Sequence, residues 1–328
     1  MIITLHPGAD VDLARRALVE LGLWLGPATR MPATGSTLFV VSESSTSVTS
    51  ERVREVPGVS DIAVEPSAHP RVDAQGPVVD VRGLRVGDGA PVFLCGPCAI
   101  ETQAQVDIIA AQVAAAGAQL LRGGAYKPRT SPYAFQGHGE DALRWMRRAA
   151  DAHGLRVVTE ALGEGDVAVV AEYADLVQVG SRNMQNFSLL KAVGAAGRPV
   201  LLKRAMSATV EEWLLAGEYL LKHGAPGVIF CERGIRGFDP STRNLLDLGA
   251  VALLSEVYKL PVIADPSHAT GRRDLVLPLA RAALAAGAAG VMIETHDDPG
   301  RALSDGPQAL LPAQLREALR ALREGGLR

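Results

Sequence analysis

Two groups of side chains in this sequence have the types needed to act on a small, charged molecule. The first is cationic. The run Leu120-Leu-Arg-Gly-Gly-Ala-Tyr-Lys-Pro-Arg-Thr-Ser-Pro-Tyr-Ala-Phe-Gln-Gly137 starts apolar and then sets Arg122, Lys127 and Arg129 close together. Its glycines let backbone approach a ligand, and its prolines stiffen the loop. Such a loop holds an anion, or else it is a solvated basic loop. The second group is Cys98, His268 and Glu294, with Asp305 as a further carboxylate. A thiol, an imidazole and carboxylates together suit one divalent transition metal such as Mn, Fe, Co or Zn, whereas calcium does not choose a thiolate. Taken singly, each has a plainer reading: a strand-end cysteine as a small buried hydrophobe, a lone histidine as a hydrogen-bonded structural residue.

The elements that must position these groups repeat regularly. Short β-rich runs at Val92–Gly96, Gln119–Gly123, Arg156–Thr159, Leu176–Val179, Val200–Lys203, Gly227–Cys231, Val262–Ala264 and Gly290–Ile293 alternate with stretches of helical spacing such as Gln103–Ala116 and Val210–Lys222. This pattern predicts a (β/α)8 TIM barrel, with an open doubly wound sheet as the alternative α/β fold. In a barrel, catalytic groups sit at the C-terminal ends of the strands. In chain order those ends carry Cys98; Arg122 and the Lys127 loop; Glu160; Ser181-Arg182-Asn183; Lys203-Arg204; Glu232-Arg233; Asp265-Pro-Ser-His268; and Glu294-Thr-His296. The opposite ends are mostly Gly, Ala, Leu and Pro. Arg122, Lys127, Arg182, Lys203 and Arg233 therefore converge on one rim. Guanidinium forks pair with phosphate or carboxylate, and lysine serves as a point charge or proton donor, so a small substrate bearing both anionic groups is implied. The alternative is a charge-balanced structural network through Glu160 and Glu232.

Composition narrows the class. The chain has 328 residues, enough for a large core plus a small second unit, and 48% of them are hydrophobic. No run approaches the ~18 apolar residues of a membrane span, and the N-terminus lacks a signal-peptide pattern, so a cytoplasmic protein is expected. A net charge of −3 argues against a general nucleic-acid or anionic-membrane surface. Three cysteines are too few for a disulfide framework. Cys95-Gly-Pro-Cys98 has thioredoxin-type spacing, but it closes an apolar run and the helical pattern starts several residues later, which fits a strand end better.

Residues 1–70 read as a separate small α+β unit of order βαββαβ, resembling a ferredoxin-like fold. It carries no clustered acid, base or metal-ligand set, and is either a packing appendage or a ligand sensor. Residues 71–77 read as a linker, and residues 78–328 as the barrel, led by a short hairpin at 78–86.

The motifs Gly96-Pro-Cys98, Leu121-Arg-Gly-Gly-Ala-Tyr-Lys-Pro-Arg-Thr-Ser131, Gly180-Ser-Arg-Asn-Met-Gln-Asn186, Leu202-Lys-Arg204, Cys231-Glu-Arg-Gly234, Asp265-Pro-Ser-His268 and Ser304-Asp-Gly306, in this order, closely resemble class I 3-deoxy-D-arabino-heptulosonate 7-phosphate (DAHP) synthases of the Iβ branch. The resemblance covers about residues 78–325. It implies a (β/α)8 barrel that condenses phosphoenolpyruvate with D-erythrose 4-phosphate, the first step of the shikimate route to aromatic amino acids. It places the metal ligands on Cys98, His268, Glu294 and Asp305, and the phosphoenolpyruvate contacts on Arg122, Lys127, Arg182, Lys203 and Arg233. The aldose phosphate falls to Arg129, Thr130 and Ser131. The metal is expected to polarise the aldehyde, Lys127 (or a water held by the metal) to protonate the nascent alkoxide, and Glu160 to orient the water that attacks C2. Sister enzymes making 3-deoxy-D-manno-octulosonate 8-phosphate from arabinose 5-phosphate share the barrel but lack the Lys-Pro-Arg-Thr run. They are the first alternative, and a catalytically silent binding or regulatory partner is the second. The resemblance also suggests a homotetramer and feedback control by Tyr or Phe through residues 1–70. Cys95 is unexpected for the family, and an inactivating Cys95–Cys98 disulfide is weighed against an inert buried thiol.

Overall fold

The computed structural model describes residues 1–42, 44–128 and 131–325. The chain divides into two compact units, Met1–Ala68 and His69–Arg328. In the first, β1 (Ile2–Leu5), α1 (Val11–Glu20), β2 (Thr29–Arg30), β3 (Thr37–Val40), α2 (Ser50–Arg54) and β4 (Val59–Ala63) follow the βαββαβ order. The strands form an antiparallel sheet in the order β2-β3-β1-β4. Alternation along the strands turns Ile3, Leu5, Phe39 and Ile62 onto Ala14, Leu18 and Val53 of the helices. Asp10 and Thr49 cap the two helices. Ahead of β3 the second strand of this order is only an isolated bridge, Leu25 to Val41, followed by the short β2. Pro27, which has no N–H to give a ladder, interrupts it.

Most of the segment expected as a linker is the helix α3 (Pro70–Gln75), with proline at its first turn. Glu218 accepts the otherwise orphaned N–H groups of Arg71 and Val72 at 2.9 and 3.0 Å, and Gln75 exchanges two hydrogen bonds with Val228. Next come the hairpin β5 (Val79–Val81) and β6 (Leu84–Val86).

The barrel strands are β7 (Val92–Gly96), β8 (Leu120–Arg122), β9 (Arg156–Glu160), β10 (Leu176–Val179), β11 (Val200–Lys203), β12 (Val228–Glu232), β13 (Val262–Ala264) and β14 (Gly290–Glu294). All pair in parallel, and β14 closes on β7, so the closed barrel rather than the open sheet is observed. The helices between and after them are α4 (Gln103–Ala115), α5 (Glu140–Ala152), α6 (Val167–Tyr173), α7 (Phe187–Ala195), α8 (Val210–Lys222), α9 (Leu248–Ala252), α10 (Pro266–Thr270), α11 (Val276–Ala285) and α12 (Pro312–Glu324). Strand residues alternate between two cores. Val92, Leu94, Leu120, Val158, Leu201 and Met292 fill the lumen, where Val79, Val81 and Val86 of the hairpin join them. Phe93, Cys95, Leu121, Val157, Phe230 and Ile293 face outward into the layer shared with the helices. With apolar side chains filling the lumen, polar chemistry is left to the strand C-termini and the loops beyond them. No described helix is long and apolar enough to cross a membrane.

Candidate active site and metal centre

The strand ends are shaped so that side chains from distant parts of the chain can meet. Gly96 ends β7 where a Cβ would overlap the Arg122 carbonyl oxygen of β8, so glycine allows the close pairing from which Pro97 and Cys98 emerge. After β13, Asp265 is the N-cap of α10 and accepts the His268 backbone N–H, Pro266 occupies the first turn, and Gly271 ends the helix in the left-handed conformation. This one-turn motif fixes His268 at the mouth. Asp305 lies in a loop beyond β14 at φ +52°, a conformation that aspartate tolerates better than most side chains and that here lies at a polar site.

The four expected metal ligands come together. The donor atoms of Cys98, His268, Glu294 and Asp305 all lie within 4.8 Å of one another. Cys98 Sγ is 3.1 Å from Asp305 Oδ2, and His268 Nε2 is 3.2 Å from Glu294 Oε1. His268 Nδ1 faces Asp265 Oδ2 at 2.7 Å, which holds the proton on Nδ1 and leaves Nε2 as the donor atom. The set therefore fits a divalent metal in both donor chemistry and tautomer.

The cationic group lines the same cleft. Arg122, Lys127, Arg182, Lys203 and Arg233 border it together with Glu160, Cys98, His268 and Asp305. Arg122 donates from Nη1 to Glu294 and to the Pro97 carbonyl, both at 2.8 Å, while its Nε is buried without a partner among the described residues. A buried, unpaired guanidinium N–H suits an anionic ligand. Lys127 Nζ lies 2.8 Å from the Cys98 carbonyl oxygen and 3.1 Å from its Sγ, beside the metal-ligand cluster. Gln178 donates to Glu160 at 3.0 Å, and Gly180 leaves the room that Glu160 occupies. Of the three residues expected at the aldose phosphate, Ser131 is exposed, and Arg129 and Thr130 lie outside the described residues.

Several side chains fall elsewhere than the sequence suggests, or were not read at all. Arg204 leaves the rim to pair with Glu232 at 3.1 Å and Asp247 at 2.8 Å, so this part of the charge belongs to a structural network. Asp265, seen in sequence only within its motif, also holds Lys203 at 2.6 Å. Arg243, which belongs to none of the motifs above, lines the cleft with Nη1 3.2 Å from Asp305. Gln308 donates to Glu294. None of these partners is close in sequence, so spacing held no signal for them. The Cys95–Cys98 disulfide is not formed. Cys95 points outward into the helix layer while Cys98 lies past the strand end in the cleft, and burial pushes the Cys95 thiol up to about 12.

Electrostatics separates the ligands. Burial, reinforced by Glu294, pushes the Cys98 thiol up to about 11, against the opposing charges of Lys127 and Arg122. Burial also lowers His268, against the nearby carboxylates of Asp265 and Glu294. For Glu294 and Asp305 burial acts upward, but His268 and Arg122 in the first case, and the Cys98 hydrogen bond, His268 and Arg243 in the second, outweigh it and leave both carboxyls below their usual range. In the metal-free protein near neutral pH, Cys98 is thus the ligand that must lose a proton on binding. Mn2+ affinity should rise about tenfold per pH unit between roughly pH 7 and 9, with one proton released per ion. Calorimetric titrations in buffers of different ionisation enthalpy measure both. A pH-independent affinity would contradict the assignment of Cys98 as a ligand.

Residues 63–326 match the DAHP synthetase I family. A phospho-2-dehydro-3-deoxyheptonate aldolase of Thermotoga maritima is 51% identical over 233 residues, 71% of this chain and 69% of that protein. A 2-dehydro-3-deoxyphosphooctonate aldolase of Rhodopseudomonas palustris is 33% identical over 76% of this chain and 93% of its own. The crystal structure of the Thermotoga maritima DAHP synthase superposes with a TM-score of 0.76 at 39% identity, covering 98% of this chain and 96% of that one. A truncated form from the same organism gives 0.70 at 45% identity, over 75% and 90% of the two chains.

Proposed function

The chain belongs to the DAHP synthetase I family, and from that premise we propose how its own residues carry out the family's reaction. The enzyme condenses phosphoenolpyruvate with D-erythrose 4-phosphate to give DAHP and phosphate. The observation that carries the proposed division of labour is a soft-and-hard donor cluster within 4.8 Å, opening into a cleft lined by six Lys and Arg side chains.

Cys98, His268, Glu294 and Asp305 would hold one divalent metal. Once bound, it would supply Lewis acidity toward the aldehyde oxygen of the tetrose. Arg122, Lys203, Arg182 and Arg233 take the carboxylate and phosphate of phosphoenolpyruvate, neutralising charge that would otherwise repel the second phosphorylated substrate. Phosphoenolpyruvate C3 forms the new bond to the aldehyde carbon, whose oxygen becomes an alkoxide. Lys127, between the donor cluster and the cationic wall, gives that oxygen its proton. Glu160, held by Gln178, orients the water that adds to C2, and the resulting tetrahedral intermediate expels phosphate. Arg129, Thr130 and Ser131 select the tetrose phosphate.

A cytoplasmic location is supported by three free cysteines and by the substrates themselves. We place the chain in the Iβ branch, as a homotetramer regulated through residues 1–70 by Tyr or Phe. Full-length activity unchanged by either amino acid, or a monomeric mass by light scattering, would remove the corresponding part of this reading.

The acceptor decides between sister activities. Offered both sugars under identical conditions, the protein should use erythrose 4-phosphate with kcat/KM about 100-fold or more above that for arabinose 5-phosphate. Preference for the pentose would place it among the 3-deoxy-D-manno-octulosonate 8-phosphate synthases, and turnover of neither would favour a silent partner.

A further inference from the structure

One carboxylate joins the two halves of the cleft. Asp265 Oδ2 lies 2.6 Å from Lys203 Nζ and 2.7 Å from His268 Nδ1, while Oδ1 accepts the His268 backbone N–H at 3.1 Å. Asp265 is completely buried and Lys203 nearly so, so this contact is weakly screened by solvent. A single oxygen thus receives two hydrogen bonds, one from a side chain assigned to phosphoenolpyruvate and one from a side chain assigned to the metal. We infer that Asp265 is a positioning residue that couples the two binding events: phosphoenolpyruvate at Lys203 tightens metal at His268, and metal tightens phosphoenolpyruvate equally. The inference rests on the binding assignments proposed above.

The coupling follows from competition for that oxygen. When an anionic group of phosphoenolpyruvate draws the Lys203 ammonium, Oδ2 is left more fully to the His268 Nδ1–H. A stronger acceptor at Nδ1 makes Nε2 more electron-rich and a better ligand. In the other direction, a cation on Nε2 makes Nδ1–H a stronger donor, pulls on Oδ2 and releases Lys203 toward the substrate. Binding linkage requires the two effects to be equal. Direct attraction between metal cation and substrate anion acts with or without Asp265, so the part assigned to Asp265 is the part that its replacement removes. Asparagine keeps the shape but removes the negative charge and one acceptor: either its neutral oxygen faces Lys203 and His268 as a weaker acceptor with the NH2 against the His268 backbone N–H, or the NH2 faces both donors.

The test measures Mn2+ affinity of the full-length, metal-depleted protein with and without saturating phosphoenolpyruvate, for the wild type and Asp265→Asn. Phosphoenolpyruvate should tighten Mn2+ about tenfold in the wild type and only about twofold in the variant. Equal factors in the two proteins would overturn the coupling, because a merely structural loss weakens both affinities and leaves their ratio alone. A second measurement needs only the unaltered protein for its result. In metal-free wild type labelled with 15N-histidine, phosphoenolpyruvate should shift the ring nitrogens of His268, assigned by their loss in His268→Gln. Unmoved His268 resonances at saturating phosphoenolpyruvate would overturn the inference even if Asp265→Asn fails to fold. Wild-type protein that binds neither Mn2+ nor phosphoenolpyruvate would instead overturn the underlying assignments, and the inference with them.

Discussion

Cys98→Ala should lower kcat by about 10³-fold or more at saturating substrates, the scale expected when several kcal/mol of transition-state stabilisation by a bound metal are lost. The variant should still fold. Cys98 lies in the cleft beyond β7 rather than in the barrel core, and its truncation leaves the lumen and the helix layer intact. Its hydrogen-bond neighbours, Ser304, Asp305 and Lys127, are partly or largely buried but keep other partners or solvent access. Metal analysis should find the ion depleted after gel filtration, while the thermal midpoint of the metal-free form stays close to that of metal-free wild type. Cys95→Ala is the contrasting case. It removes an outward-facing core thiol, and should cost packing but leave kcat and metal content unchanged. A Cys98→Ala protein with normal turnover would sink the metal centre as proposed.

Lys127→Met should lower kcat by about 10²–10⁴-fold, the usual range for losing a positioned general acid. Methionine keeps much of the length and removes the ammonium that lies 3.1 Å from Cys98 Sγ and 2.8 Å from its carbonyl oxygen. Losing that charge also makes the Cys98 thiol harder to ionise, because Lys127 is one of the groups holding it down. Metal affinity should therefore fall as well, and kcat must be read at saturating metal. Lys127→Arg separates charge from proton transfer. A guanidinium restores the cation but does not give up its proton, so metal affinity should return while kcat stays low. Recovery of kcat by Lys127→Arg would make Lys127 an electrostatic contact and move proton donation elsewhere.

The barrel was legible because its signal is repetitive. Eight β-rich runs alternate with helical spacing, and the pleat sends Leu94 inward and Cys95 outward whatever the surroundings. Cys98, His268 and Glu294 could be grouped because each lies at or beyond a strand end, where a barrel collects chemistry, whereas Asp305 became an expected ligand only through the family resemblance. Pairing was not legible. Asp265 serves Lys203 62 positions away, and Arg243 reaches Asp305 over the same separation. Lys203 and Arg204 end the same strand, yet adjacent residues there face opposite ways, and Arg204 turns to Glu232 and Asp247 while Lys203 lines the cleft. The stretch read as a linker hid a helix because its first turn depends on Glu218, a partner 146 residues beyond Val72. What composition and period cannot supply is which charged side chain spends itself on structure and which stays open to a ligand.

On the reading proposed above, this chain joins phosphoenolpyruvate to erythrose 4-phosphate with the help of a metal that Cys98, His268, Glu294 and Asp305 would hold. This is tested by following phosphoenolpyruvate loss, erythrose 4-phosphate loss and phosphate release together in chelator-treated wild-type protein, before and after a stoichiometric addition of Mn2+. No turnover is expected without the ion and, on its addition, equal amounts of phosphoenolpyruvate consumed, erythrose 4-phosphate consumed and phosphate released. Full turnover in the protein shown to be metal-free would contradict it.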